Sequence, residues 1–168
     1  MARMKIEAAH HWRAAHGGTR NGDLVATLPR WAPWAARVPW LLGLRERSPA
    51  LARLGERMLG IAAERTMPGF RRDVFARPAT AGEVALPAAD VVLFVDTFTR
   101  YFEPAHAHAA LAVLRAGGHG VSIARPAPGD PHSGRPLCCG RTYLAAGRVD
   151  EARAEARRML AALAPAIV

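Results

Sequence analysis

The residues best suited to chemistry are Cys138 and Cys139, the chain's two cysteines, adjacent to each other and followed by Gly140. They sit in Arg135–Leu144, which reads R-P-L-C-C-G-R-T-Y-L. Neighbouring side chains on an extended backbone point in different directions, so the pair is poorly suited to packing as one buried unit. Two soft thiolates on a turn beside a helix N-terminus suit a metal or an iron–sulfur cluster. Two small apolar residues on a tight turn is the reading that stands beside it, with a strained vicinal disulfide third. Zinc is a weaker match, because adjacent cysteines lack the C-x₂₋₄-C spacing of its sites. His106 and His108 diverge on a helix, and His119 and His132 have no paired partner in sequence. Cys139 near Arg135 and Arg141 would have a lowered pKa as a nucleophile, but no His–Asp pair stands at a recognisable spacing. His10, His11 and His16 read as solvated helix residues.

The elements around these residues follow from periodicity and punctuation. Met1–His16 reads as a helix with Ile6, Ala9 and Trp12 among its apolar positions, starting without a cap and stopped by Gly17-Gly18. Asn21–Arg47 is helical in tendency but broken by Pro29, Pro33 and Pro39. Trp31, Trp34 and Trp40 in that stretch are expected to bury their rings, with a partner-gripping surface as the alternative. Ser48-Pro49 predicts a cap and first helical position for a helix to about Glu64, with Leu51, Leu54, Met58, Leu59 and Ala62 on one stripe. Thr66–Pro87 is irregular and reads as a linker or strap.

The character changes at Ala89. Val91–Val95 is an unbroken apolar run ended by Asp96 and Thr97, which predicts a strand buried on both faces. A helix opens at Glu103-Pro104 and ends at Gly117-Gly118, and Gly120–Ala124 gives a second strand. The order strand, helix, strand implies a parallel βαβ unit with a right-handed crossover. Ligands of open α/β sheets bind outside the carboxyl ends of the strands, so Asp96, Thr97 and Thr99 should meet the cysteine loop there. A short helix follows the cysteines, and Asp150 is expected to cap the last helix, with Val149, Ala152, Ala156, Met159, Leu160 and Leu163 on its stripe and Pro165 at its end. The closing Ala166-Ile167-Val168 reads as the start of a further strand.

Composition bounds these readings. The 168 residues, 51% hydrophobic and 22% charged, describe a globular chain with a real core. Net charge is +9 with arginine supplying nearly all of it, Lys5 being the single lysine. The arginines are scattered, not gathered into an aromatic-interleaved stripe, so nucleic acid is not the expected partner. There is no signal-type opening and no long apolar span, so the expected setting is cytoplasmic. No Walker loop and no G-x-G-x-x-G occur; Gly118-His119-Gly120 precedes a strand instead of following one.

Taken together, Pro136–Tyr143 with Ala146-Gly147 and Val149-Asp150-Glu151-Ala152-Arg153 resembles the cysteine-rich CCG domain of iron–sulfur oxidoreductase subunits. The nearest resemblance is to FAD-linked oxidase/iron–sulfur proteins of the glycolate oxidase and D-lactate dehydrogenase type. Val95–Thr99 with Tyr101–Pro104 is similar to their first strand and turn. Leu28-Pro29-Arg30, Ala32-Pro33-Trp34 and Arg71-Arg72-Asp73 resemble their linker. The resemblance implies an α/β fold: a helical segment over 1–64, an irregular strap over 65–88, and a small parallel βαβ, Rossmann-like CCG half-module over 89–168. It implies electron transfer in a D-2-hydroxy-acid dehydrogenase, with Cys138, Cys139 and Gly140 at an iron–sulfur cluster and Asp96 and Thr97 lining the site. FAD would lie in a separate domain. Implied partners are that flavin domain or subunit and a ferredoxin-like iron–sulfur module, with peripheral attachment to the inner membrane face through the complex. This sequence departs from the pattern: the cysteine near the end of the first strand, the C-x₂-C-x₂-C run and the later cysteines are absent. Two thiolates do not supply the four of a normal cluster. The chain is therefore expected to be an incomplete part of a larger oxidoreductase, inactive alone, and a metal-free scaffold or subunit-interaction domain is the alternative.

Overall fold

A computed structural model describes residues 2–75, 84–86 and 88–166. Within them the fold is mixed α/β and mostly helical, with one small parallel sheet. In chain order the elements are α1 (Ala2–His16), α2 (Arg20–Ala26), α3 (Leu28–Ala35), α4 (Pro39–Arg47), α5 (Pro49–Leu59), β1 (Val91–Leu93), α6 (Thr97–Tyr101), α7 (Pro104–Ala116), β2 (Val121–Ile123), α8 (Arg141–Ala145) and α9 (Val149–Leu163). A 3₁₀ turn over Ala164–Ala166 includes Pro165. The chain divides into two compact units, Met1–Phe70 with Gly140–Ala154 and Arg71–Cys139 with Glu155–Val168. The stretch 89–168 therefore contributes to both.

In the first unit, local signals set the helix ends. Thr19 caps α2 through its hydroxyl, and Ser48 caps α5 by accepting from the Leu51 N–H at 3.4 Å. Pro39 and Pro49 occupy the openings of α4 and α5, where a missing N–H costs nothing. α5 ends at Leu59, short of the expected Glu64, because Gly60 adopts φ +70° and its N–H closes on the Glu56 carbonyl. The chain beyond is held by Arg45, whose guanidinium donates to the carbonyls of Ala62 and Arg65 at 2.8 and 2.9 Å.

The tryptophans divide. Trp31 is half-buried and donates from Nε1 to the Leu24 carbonyl at 2.9 Å. Trp34 and Trp40 are 68% and 59% exposed, so the expectation that all three rings are buried is corrected. The α5 stripe is likewise exposed at Leu51, Leu54, Met58 and Leu59, and with Leu41 and Leu44 it lines an open apolar cleft of about 320 Å³. The buried centre of this unit is small: Ala26, Tyr143 and Ala152, with Leu144 and Ala146 packed against them.

In the second unit β1 and β2 pair in parallel, Val91 opposite Val121 and Leu93 opposite Ile123. The expected βαβ order is present, but the first strand is shorter and less buried than its sequence implies. Only Val91–Leu93 is strand, and all three residues are half-buried, whereas Val121–Ile123 are buried. The ladder stops because Asp96 turns the chain into α6, accepting from the N–H groups of Phe98 and Thr99 at 2.8 and 3.2 Å. The other edge of β2 receives the Val84 N–H on the Val121 carbonyl, so part of the expected strap lies against the sheet. Residues 76–83 and 87 of that strap, and Ile167-Val168 of the expected final strand, lie outside the described residues.

Two apolar clusters flank the sheet: Phe75, Val95, Ala107 and Ile123 in one, and Ala124, Leu137 and Ala162 in the other. Phe75 is fully buried, its N–H on the Arg100 carbonyl, so the strap supplies a core residue as well as a covering. α9 opens at Val149, one residue before the expected cap; Asp150 lies in its first turn and pairs with Arg153 at 3.2 Å. Leu160, assigned to the buried stripe, is 54% exposed. Beside Ala152 and Ala162, α9 buries charge. Arg158, 9% exposed, binds Asp130 at 2.5 Å and Glu155 at 3.5 Å, and donates to the carbonyls of His132, Arg135 and Pro136. Glu155 also binds Arg135 at 2.5 Å.

Burial alone would raise the Asp130 pKa, but the His132 N–H and the Arg158 guanidinium outweigh it and hold the carboxyl below its usual range. A depressed folded pKa gives stability that is complete above the unfolded value near 4 and is lost as pH falls through the folded value. Thermal unfolding followed from about pH 7 to pH 2 should show this loss below about pH 4. Asp130→Asn should be less stable at neutral pH and lose less on acidification; an unchanged acid slope would refute the assignment.

Candidate functional site

The cysteine loop is delivered by the Arg158 network. Five acceptors converge on one guanidinium: the carboxylates of Asp130 and Glu155 and the carbonyls of His132, Arg135 and Pro136. They fix the path of residues 130–136, and Leu137 then packs on Ala124, the residue after β2. The chain thus comes to the cysteines from the carboxyl side of the sheet. Neither cysteine is in a disulfide; Cys138 is buried, 4% exposed, and Cys139 is exposed. The divergence expected of adjacent residues is present.

Gly140, the third residue of the motif, belongs to the first unit and has a packing role. Its φ is +79°, and a Cβ there would stand 2.6 Å from the Ala152 carbonyl oxygen, closer than any side chain tolerates. Thr142 is buried and donates from its hydroxyl to the Ala26 carbonyl at 3.0 Å. Tyr143 is fully buried against Ala26 and Ala152, with the guanidiniums of Arg30 and Arg148 5.4 and 5.6 Å from its ring centroid. Arg148 in turn pairs with Glu151 and, at 3.2 Å, with Asp23. The Arg148 hydrogen bond draws the Glu151 pKa down despite its partial burial. Gly140, Thr142 and Tyr143 are thus accounted for by packing.

Asp96 and Thr97 are occupied structurally. The Asp96 carboxylate caps α6 and also accepts from the Thr99 hydroxyl at 2.7 Å, while Thr97 is 5% exposed. Of the histidines, His106 is exposed beside Glu103 at 3.1 Å, and His108 lies against the Phe75 ring. His10 corrects its reading as a solvated residue: it is half-buried, with Nδ1 3.1 Å from the Gly147 carbonyl. Gly147 lies close against α1: a Cβ there would fall 2.5 Å from the Ala9 carbonyl oxygen.

Among the described residues, no group of three or more His, Cys, Asp or Glu side chains is placed to hold a metal ion. No described helix is long and apolar enough to cross a membrane. A feature that sequence did not reveal is a cleft of about 210 Å³ in the second unit, lined by Arg100, Arg125 and Arg135 together with Phe75, Ile123 and Leu137. Comparison with protein-family models, curated proteins and solved structures finds no match to this chain.

Two measurements follow. Native protein treated with a chromogenic disulfide reagent should release one thiol equivalent quickly, from Cys139, and the second only on unfolding. Two equally fast thiols would contradict the burial of Cys138. Gly140→Ala should lower unfolding free energy by about 2 kcal/mol or more, from the left-handed backbone and the encounter with Ala152. A neutral result in denaturant titration would show that this close approach relaxes.

Proposed function

We propose that this chain is the electron-transfer part of a flavin-linked D-2-hydroxy-acid dehydrogenase of the glycolate or D-lactate type, and that it works only within the larger assembly. The observation that carries the reading is the Cys138-Cys139-Gly140 segment, reached through a loop that leaves the carboxyl side of a parallel β-strand pair. Exposure of Cys139 supports it further, since a redox ligand shared with a partner has to be reachable.

The chain's own residues do not make up a cluster site. A four-iron cluster takes about four thiolates; this chain has two, and one of them is buried. Asp96, the carboxylate proposed to line the site, is engaged in capping α6. No redox step is therefore assigned to this chain by itself. In this reading the missing ligands come from partner segments, FAD sits in a flavin domain or subunit, and a ferredoxin-like module completes the relay. The Rossmann-like half-module belongs to the same proposal, as do a cytoplasmic setting and attachment to the inner membrane face through the complex.

One observation favours the second reading, a metal-free scaffold or subunit-interaction domain. Gly140, Thr142 and Tyr143 each have a packing reason to be what they are, so these three residues need no metal to explain them.

Co-expression separates the two. The chain purified alone without oxygen is expected to carry substoichiometric iron and sulfide, to show no flavin absorbance, and to leave glycolate and D-lactate unoxidised. Assembled with flavin and ferredoxin-like subunits, it should support dye reduction, and Cys138→Ser with Cys139→Ser should abolish that activity while the complex still forms. Full activity in the doubly substituted complex would favour the scaffold and sink electron transfer. Stoichiometric iron and sulfide in the chain alone would overturn the ligand argument.

A further inference from the structure

The α4–α5 hairpin carries an inference that lies within the first unit and does not depend on the electron-transfer reading. Leu41 and Leu44 of α4 and Leu51, Leu54, Met58 and Leu59 of α5 are exposed along one open cleft. The apolar surface does not stop at the cleft. Trp40 and Leu42 are exposed as well, as is Val38 just before α4. At about 100° per residue, Trp40, Leu44, Leu41 and Leu42 sweep about 200° of the α4 surface, roughly twice the stripe a helix turns towards a protein core. Arg45 falls inside that arc, but its guanidinium is engaged with the Ala62 and Arg65 carbonyls and the Glu46 carboxylate. For all this apolar surface, α4 buries no residue.

That breadth separates the occupants. A single partner helix laid in the cleft would cover the six cleft residues and leave Trp40 and Leu42 in water. A second copy seated on the cleft has the same shortfall. The interfacial layer of a membrane wraps whatever part of a helix enters it, and tryptophan is favoured there.

Charge agrees with breadth. Arg47 stands three residues beyond Leu44, and Arg57 three beyond Leu54, so each neighbours its leucine on the helix surface. Arg47, Arg53 and Arg57 are exposed, and none of them makes an ion pair or side-chain hydrogen bond among the described residues. Against them stand Glu46, held by Arg45 and the Met67 N–H, and Glu56. The face is therefore basic as well as apolar, the complement of an anionic headgroup layer.

We propose that the α4–α5 hairpin docks this chain directly on an anionic membrane surface, with Trp40 and the leucines entering the boundary between headgroups and acyl chains and Arg47 and Arg57 at the lipid phosphates. Flotation of the purified full chain with vesicles tests this, and needs neither a cluster nor a partner subunit. Vesicles of equimolar phosphatidylcholine and phosphatidylglycerol should bind it at least about tenfold more tightly than phosphatidylcholine alone. Tryptophan emission should shift to the blue on binding. Leu54→Gln with Met58→Gln should weaken binding by about tenfold or more, and Arg47→Gln with Arg57→Gln by about thirtyfold. All four side chains are exposed, so folding, checked by circular dichroism, should be unchanged. Absence of binding to the anionic vesicles would overturn the proposal and leave the face to a protein partner. Undiminished binding by the Leu54→Gln, Met58→Gln variant would overturn it too, since net charge alone would then be the attraction. A dimer of the lipid-free chain in analytical ultracentrifugation that this variant dissociates would assign the face to a second copy instead.

Discussion

The placement of the cysteine loop depends on one buried cation. Arg158 gathers the Asp130 and Glu155 carboxylates and three consecutive-loop carbonyls, those of His132, Arg135 and Pro136. Residues 130–136 have no regular secondary structure to satisfy their backbone, so the guanidinium serves as the template on which they fold. Charges this buried are costly to desolvate, and the cost is met only when each donor and acceptor is paired. The network comes close to that limit, with Arg135 Nη1 as the buried donor left over. Its value lies less in net stability than in specifying a single path for a proline- and glycine-rich loop.

The same loop then separates two functions that sequence places side by side. Cys138 faces the interior and Cys139 the solvent. Beyond them, Gly140, Thr142 and Tyr143 build the small core of the first unit. A motif that looks like one chemical signature is, residue by residue, a buried thiol, an exposed thiol and a packing segment. Of the two thiols, Cys139 is the one a reagent in solution can reach.

Local order was legible in the sequence; long-range burial was not. The Ser48-Pro49 start of α5, the span of α7 and the parallel order of β1 and β2 follow from caps, glycines and apolar runs. Trp34 and Trp40 misled because an aromatic ring shows a capacity for burial, not the presence of something to bury it. Glu155 and Arg158 look like ordinary solvated helix residues, and only the carbonyls of a distant loop make them interior groups. Thr142 meets Ala26 across 116 residues, beyond any local pattern. The candidate site divides in the same way. The cysteines stand out as a pair, whereas the arginine cleft is assembled from positions 75, 100, 123–126 and 133–137, and no window of sequence contains it.

The α4–α5 hairpin has a consequence for how the molecule comes apart. α4 buries no residue and α5 only Ala52, while their leucines face an open cleft. Arg45 and the Ser48 cap hold the hairpin together, yet little apolar area opposes its opening. Such a segment forms a foldon of low stability, whose amide protons exchange through local openings and not through global unfolding. The free energy of this chain is then a profile along the sequence, low over residues 39–59, and a single two-state value would average over events that are not simultaneous.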